Sequence, residues 1–259
     1  MSADIAARLA VYDPGNQYAV NYMWFTTGVA YNVQKAKARI GDKPIDSWDQ
    51  VYKPENLRKF ADCGVYMLDS PEDILTTNLR YQGLNPDSKS AGDIRKAADA
   101  LMRLKPFVKK FHSSEYINAL ANGDICLAVG WAGDSFQARN RAAEAKNEVT
   151  IDYVIPKEGT LISLDNLAIP KDAAHVAEAH VLIDFLLRPE IAARNSNVTS
   201  FANGVTASKA LIAPDIRPKF EALNNQVVAN SPEEFTAMLY ADLERVGRIV
   251  KAAGIKPEG

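Results

Sequence analysis

The sequence predicts an α/β fold, because short apolar runs typical of β-strands alternate with segments typical of helices. Two observations carry this prediction: the strand-like run ICLAVGW at 125–131 precedes a polar, helix-forming segment, and residues 93–104 form an amphipathic helix. With 259 residues, of which 47% are apolar, the chain can form one large domain or two small lobes. We find no internal repeat and no low-complexity linker in it.

The first part of the chain begins this alternation. Its predicted elements are an extended segment at 17–31, a helical region at 47–63 around Pro54, and a short strand at 64–69. Ser70 then opens a helix as its N-cap, with Pro71 at the first helical position and Asp73 at the third. Pro106 ends the amphipathic helix that follows, since proline cannot continue a helix.

The second part continues the pattern. A short helix at 113–123 ends at Asn122-Gly123, and the strand 125–131 follows it. After a two-residue turn, Ala132-Gly133, the next helix is predicted to begin at Asp134. The remaining predicted elements are a strand at 149–156, an apolar run at 165–170, a helix at 176–188 that Pro189 stops, and a last helix from Ser231.

Charge and hydropathy exclude several classes of function. The net charge is −2 and no run of Lys or Arg is present, so we expect no nucleic-acid partner. No apolar stretch approaches the roughly 20 residues that span a bilayer, so we expect no membrane insertion. The N-terminus lacks the basic and long apolar regions of a signal peptide, which predicts a cytosolic protein or a chain without its natural start.

Catalytic and metal-binding motifs are not found. The sequence contains no GxSxG, Walker loop, GxGxxG or HExxH. We expect His112, His175 and His180 to be structural or solvated, because no nucleophile or acid–base partner accompanies them. The sequence therefore predicts a protein that is not an enzyme and that uses neither a cofactor nor a metal.

Two cysteines, Cys63 and Cys126, precede or lie within predicted strands. Neither has a CxxC partner or a neighbouring histidine, so a metal or redox site is not expected. They are either two buried thiols or one disulfide, which would close a loop of more than sixty residues and indicate an oxidising compartment.

Trp131 and Asp134 form the most informative pair in the chain. They lie three residues apart where a strand meets a helix, which is where open α/β sheets bind ligands. The indole face attracts an organic ammonium by roughly 0.5–2 kcal/mol, and the carboxylate supplies a countercharge. The alternative is a core tryptophan beside a helix N-cap aspartate, and the spacing alone does not decide between the two.

Several long strings resemble the periplasmic putrescine/polyamine-binding proteins of ABC transporters. They are DPGNQYAVNYMW, TTGVAYN, DSWDQVYKPENL, CGVYMLDSPEDIL, FHSSEYINALANGDICLAVGWAGD and IPKEG, within about residues 5–210. The resemblance implies a type II periplasmic solute-binding fold, in which two α/β lobes joined by crossing strands bind ligand in the cleft between them. It also implies a polyamine ligand, putrescine or spermidine, a periplasmic location and an ABC permease of the inner membrane as partner.

The resemblance further implies a division of the chain into segments. Residues 1–24 would be a remnant of the first lobe with a crossing strand, 25–153 an intact ligand-binding lobe, and 154–210 the returning first-lobe segment. Most of the family's first lobe has no counterpart in this sequence. Residues 211–259 instead resemble the helical C-terminus of tripartite tricarboxylate transporter-type solute receptors, which mostly bind carboxylates.

The family's ligand site can be carried over where the strings match. Trp131 and Asp134 correspond to its aromatic and acidic pair. Asp73 stands where the family usually has a Glu that contacts an ammonium, and Glu72 is the substitute candidate. Asp73 is equally explained as a capping-box residue. Asp165 matches a further carboxylate of the family.

Two positions depart from the family pattern, and one pair agrees with it. Ser163 replaces an aromatic residue two positions before Asp165, while Phe201 replaces a frequent Tyr and keeps only the ring. Cys63 and Cys126 match the family's disulfide pair, so the resemblance favours the bridge over two free thiols.

These features leave three functional hypotheses. A diamine needs a carboxylate at each end and aromatic walls for its methylenes, and the candidate site supplies part of both. A carboxylate receptor is indicated by the tail alone, and the acidic site would repel its ligand. The third hypothesis is a truncated remnant that binds nothing.

Overall fold

The structure is a computed structural model that describes residues 1–214, 216–218 and 220. The six strands of this described part are β1 (Ala19–Asn32), β2 (Val65–Met67), β3 (Lys110–Phe111), β4 (Leu127–Trp131), β5 (Ile151–Val154) and β6 (Ile162–Ala168). Its ten α-helices are α1 (Ala3–Leu9), α2 (Val33–Ile40), α3 (Asp49–Tyr52), α4 (Pro54–Leu57), α5 (Pro71–Tyr81), α6 (Ala91–Leu104), α7 (Glu115–Ala121), α8 (Ala132–Ala145), α9 (Val176–Leu186) and α10 (Pro189–Thr199). Three short 3₁₀ helices are Arg58–Phe60, Lys105–Phe107 and Thr206–Leu211.

Strand β1 organises the sheet because its two halves pair with different neighbours. Its first half, up to Thr26, runs antiparallel to β6. Its second half, from Thr27, runs antiparallel to β4 and β5, and β2 and β3 extend the sheet in parallel beyond β4. Both β1 and the chain from β5 into β6 therefore cross from one set of strands to the other.

Two hydrophobic cores flank these crossings. The larger core lies within residues 29–151 and buries Trp48, Phe60 and Leu127 completely. The smaller core joins Ile5 and Trp24 to residues of α8, α10 and the segment that follows α10. The division of the chain into an intact lobe at 25–153 and an incomplete one remains a proposal, although both of its boundaries lie close to the crossings.

Cys63 and Cys126 form a disulfide, with their Cα atoms 5.6 Å apart. The expectation drawn from the resemblance is thereby confirmed. The bridge joins the end of a helical region to the residue before β4, so it ties helices to the central sheet of the larger core.

Helix α8 begins earlier than the sequence indicates. It starts at Ala132 with Trp131 as its N-cap residue, so the predicted Ala132-Gly133 turn is wrong. Asp134 consequently occupies the third helical position and is not an N-cap. A carboxylate in the first turn still interacts favourably with the helix dipole.

Helix α9 is unusual because none of its residues is buried. Val181, Leu182 and Phe185 are exposed by 70%, 57% and 42%. A helix that buries so little apolar surface gains little stability from tertiary packing, which is the main source of helix stability in proteins.

Two further findings concern membrane-spanning helices and the C-terminal tail. No helix of the described residues is long and apolar enough to cross a membrane. The predicted last helix, and all of the tail after residue 220, lie outside the described residues.

Candidate functional site

The candidate site lies on one face of the crossing strand β1. Thr27 of β1 is opposite Trp131 of β4, so the two side chains share a face of the sheet. Phe25, two residues earlier, points to the same face, and Ser163 of β6 is its cross-strand partner. The first turns of α5 and α8 bring Asp73 and Asp134 to this region.

Three aromatic rings form a continuous cluster there. The Phe25 ring centroid lies 5.6 Å from that of Trp131 and 5.3 Å from that of Phe201, in tilted and edge-on arrangements. Both separations are in the range that aromatic pairs prefer. The Phe201 ring covers Gly133 so closely that a Cβ there would lie 2.4 Å from it. A glycine in the WAGD string is therefore required by this packing.

Asp73 is a buried acceptor that ties three elements together. Its carboxylate accepts hydrogen bonds from the Thr27 hydroxyl at 2.5 Å, the Ser70 hydroxyl at 2.7 Å and the Trp131 indole N–H at 3.3 Å. The bond to Ser70 joins two side chains, and Ser70 makes no side-chain hydrogen bond to the helix backbone, so it is not the capping-box interaction that the sequence offers as the alternative explanation. Asp73 thus holds the indole in place, while Glu72 beside it is exposed.

Asp134 is also nearly buried, at 8% exposure. Its Oδ2 accepts a hydrogen bond from the Tyr116 hydroxyl at 2.9 Å, and its Oδ1 accepts one from the Gln137 amide at 3.3 Å. Burial raises the pKa of Asp134 to about 6, although the Tyr116 hydrogen bond and the positive charge of Arg141 oppose the rise. The carboxylate is therefore charged above pH 6 in a poorly solvated place.

Asp165 is brought to the same face but not into the aromatic cluster. It lies on β6 opposite Met23, two residues along the strand from Ser163. The residue is exposed, yet neighbouring protein atoms partly desolvate its carboxyl group and raise its pKa. Ser163 itself supplies no ring, and the ring opposite it across the strands is that of Phe25.

The sequence analysis did not single out four residues of the site. Phe25 links the two expected rings, and Thr27, Tyr116 and Gln137 hold the two buried carboxylates. Side chains alternate between the two faces of a strand, so Phe25 shares a face with Thr27, the residue opposite Trp131. This alternation could have identified Phe25. Gln137, three positions after Asp134, lies on the same helix face as that residue. No local signal distinguishes Tyr116 from an ordinary core tyrosine.

This arrangement suits a ligand that is both apolar and cationic. Aromatic rings can cover methylene groups and attract a cation, and buried carboxylates can pair with an ammonium. Among the described residues, no group of three His, Cys, Asp or Glu side chains could hold a metal ion.

An α/β fold in which two segments cross between two sets of strands is the fold of type II periplasmic solute-binding proteins, as the sequence analysis expects. Residues 2–222 match the family of bacterial extracellular solute-binding proteins, and the chain belongs to that family.

Curated relatives include putrescine-binding periplasmic proteins. The chain is 47% identical over 218 residues to SpuD of Pseudomonas aeruginosa, and 47% identical over 219 residues to PotF of Escherichia coli. Each match covers 84% of this chain and 59% of the relative. A putrescine/agmatine-binding protein of P. aeruginosa is 41% identical over 218 residues. The chain therefore spans less than two thirds of the length of these relatives.

Solved structures agree on the fold. A putative spermidine/putrescine ABC transporter protein from Listeria monocytogenes superposes with a TM-score of 0.68 at 28% identity, covering 82% of this chain and 61% of that one. PotD from Streptococcus pneumoniae, a spermidine/putrescine ABC transporter substrate-binding protein, gives a TM-score of 0.65 at 22% identity, covering 92% and 71%. The expected likeness of the tail to tricarboxylate receptors finds no support in these comparisons.

Proposed function

We propose that the chain is the ligand-binding part of a receptor for polyamine uptake by an ABC transporter. Its ligand would be a diamine of the putrescine type, and its partner an ABC permease in the inner membrane. The observation that carries the proposal is the nearly buried Asp134 carboxylate beside the half-buried Trp131. The printed names of the relatives support the same ligand class.

In this proposal the aromatic rings and the acids have separate roles. Trp131, Phe25 and Phe201 would cover the methylene chain, and Asp134 would pair with one ammonium. Because the three donors to Asp73 already occupy its oxygens, it would act mainly by orienting Trp131. The exposed acids Glu72 and Asp165 are then the candidates for the second ammonium.

A periplasmic location is part of the proposal. The disulfide supports it, because structural disulfides persist in oxidising compartments. A carboxylate receptor is disfavoured because an anionic ligand would meet two buried aspartates. The segments 1–24, 25–153 and 154–210 are proposed to be lobe remnant, intact lobe and returning segment.

Calorimetric titration of the purified chain with putrescine, spermidine and citrate tests the proposal. We expect a diamine to bind with a Kd in the high-micromolar range, about 5–6 kcal/mol. Affinity should be modest because ion pairs that stay half-solvated contribute only about 0–1 kcal/mol each.

Two matched variants locate the binding site. Asp134→Asn keeps the shape of the side chain, removes the countercharge and should abolish most diamine binding. Asp152→Asn makes the same change at a half-buried carboxylate on β5, which accepts a hydrogen bond from Tyr31, and should leave binding unchanged. Citrate binding without diamine binding would support the carboxylate receptor, and no binding at all would support the remnant.

A further inference from the structure

Tyr116 occupies a central position beneath the candidate site. It lies on α7 with 0% exposure, and its ring packs against Gly130 so closely that a Cβ there would be 2.5 Å from it. The ring is therefore held between α7 and β4. A residue larger than glycine at position 130 would displace it.

The Tyr116 hydroxyl joins the two expected ligand residues. It accepts a hydrogen bond from the Trp131 backbone N–H at 3.0 Å and donates one to Asp134 Oδ2 at 2.9 Å. One hydroxyl thus fixes the residue at the end of β4 and the carboxylate three residues later on α8. Burial holds the pKa of Tyr116 well above its ordinary value, so the phenol remains a donor at neutral pH.

The other groups that interact with Tyr116, Trp131 or Asp134 come from three elements. On α8, Gln137 donates to Asp134 and also to the Thr199 carbonyl of α10, while the charge of Arg141 acts on Asp134. Asp73 of α5 holds the opposite end of Trp131 through the indole N–H. Tyr153 of β5 interacts electrostatically with Tyr116. Two interactions lower the pKa of Asp134, and the hydrogen bond from Tyr116 lowers it more than the charge of Arg141 does.

We propose that Tyr116 is a positioning residue for the diamine site, which holds the Trp131 backbone and the Asp134 carboxylate in register and favours the charged carboxylate. This inference rests on the proposed function. It assigns to Tyr116, a buried residue of α7, control over the pH range in which the site binds a cation. Loss of the hydroxyl would leave the ring packing intact and remove only the two hydrogen bonds.

The first test needs no ligand. The ¹³C chemical shift of the Asp134 carboxyl carbon is followed against pH in the wild-type chain and in Tyr116→Phe. The wild-type midpoint is expected near pH 6, and the midpoint in Tyr116→Phe should rise by about one pH unit, because a hydrogen bond to the charged form is lost. An unchanged midpoint overturns the proposal.

The second test measures putrescine affinity by calorimetry at pH 6.5 and pH 8.5. A rise of one pH unit in the Asp134 midpoint should by itself weaken binding about three-fold at pH 6.5. It should have almost no effect at pH 8.5, where Asp134 is charged in both proteins, so Tyr116→Phe should lose about three-fold more affinity at pH 6.5 than at pH 8.5. An equal loss of putrescine affinity at both pH values would overturn the proposal that Tyr116 controls the pH range in which the site binds. If the wild type binds no diamine, the proposed function fails while the carboxyl titration still decides the role of Tyr116.

Tyr31→Phe is the matched control. Tyr31 also donates to a carboxylate, Asp152, at 3.3 Å, but this pair joins β1 to β5 away from the aromatic cluster. The control should leave both the Asp134 midpoint and the affinity unchanged. Circular dichroism of both variants checks that they fold; a Tyr31→Phe effect equal to that of Tyr116→Phe would overturn the specific role of Tyr116.

Discussion

Replacing Asp134 by Asn should stabilise the unliganded protein while it removes ligand binding. Burial raises the pKa of Asp134 from 3.8 to about 6 in the folded chain. The folded state therefore favours the protonated form, and ionisation at neutral pH works against folding. Asn has no charge to desolvate, and its side-chain oxygen can still accept the hydrogen bond from Tyr116.

The magnitude follows from the pKa change. A rise from 3.8 to about 6, at 1.36 kcal/mol per pH unit, corresponds to about 3 kcal/mol when Asp134 is fully charged. The favourable contribution of the protonated group is complete below pH 3.8 and is lost as pH rises through 6. The advantage of Asp134→Asn should therefore grow by about 2 kcal/mol between pH 4.5 and pH 7.5.

Urea denaturation of both proteins at pH 4.5 and pH 7.5 measures this growth. In thermal unfolding, it should correspond to a Tm difference that increases by about 4–8 °C. Asp152→Asn, at a half-buried carboxylate, should show no comparable growth. An Asp134→Asn protein that is less stable at pH 7.5, or whose advantage does not depend on pH, would refute the argument that burial of the charge is costly.

The remaining predictions concern ligand affinity, the disulfide and α9. Putrescine affinity should fall by about ten-fold per pH unit below pH 6, because the cation requires charged Asp134; titration calorimetry at pH 5, 6 and 7.5 measures this, and a flat profile would contradict it. Removing the Cys63–Cys126 bridge by a double Ser substitution should lower the free energy of unfolding by about 4 kcal/mol, since the bridge closes a long loop. Chemical denaturation tests this value, and a loss below about 1 kcal/mol would contradict it. Backbone amides of α9, which buries no residue, should exchange hydrogen faster than those of α8, and equal protection would show that α9 is covered in solution.

Most elements of the described chain could be predicted from the sequence, because their signals are local. Each signal lies within a single helix or strand: the Ser70-Pro71 start of α5, the amphipathic pattern of α6 and the apolar run of β4. The exact start of α8 could not be predicted from the sequence, because the Ala132-Gly133 dipeptide suits both a turn and the first turn of a helix. In the folded chain both residues are helical, and the Phe201 ring packs on Gly133.

The sequence alone also pointed to the family, the disulfide pair and the chemistry of Trp131 and Asp134. The comparisons confirm the family, and the structure confirms the disulfide. The roles of Trp131 and Asp134 in ligand binding stay predictions. These inferences came from long matched strings and from residue types, which need no knowledge of distant contacts.

Only the tertiary structure decided how the site is assembled. Asp73 meets Thr27 across 46 residues of chain and Trp131 across 58, and Tyr116 meets Asp134 across 18. Such contacts depend on which strands pair, and β1 pairs with β4, β5 and β6 at once. Periodicity reports which face of an element is apolar but not which partner it meets, so burial of a carboxylate and the resulting pKa become known only when the partners are in place.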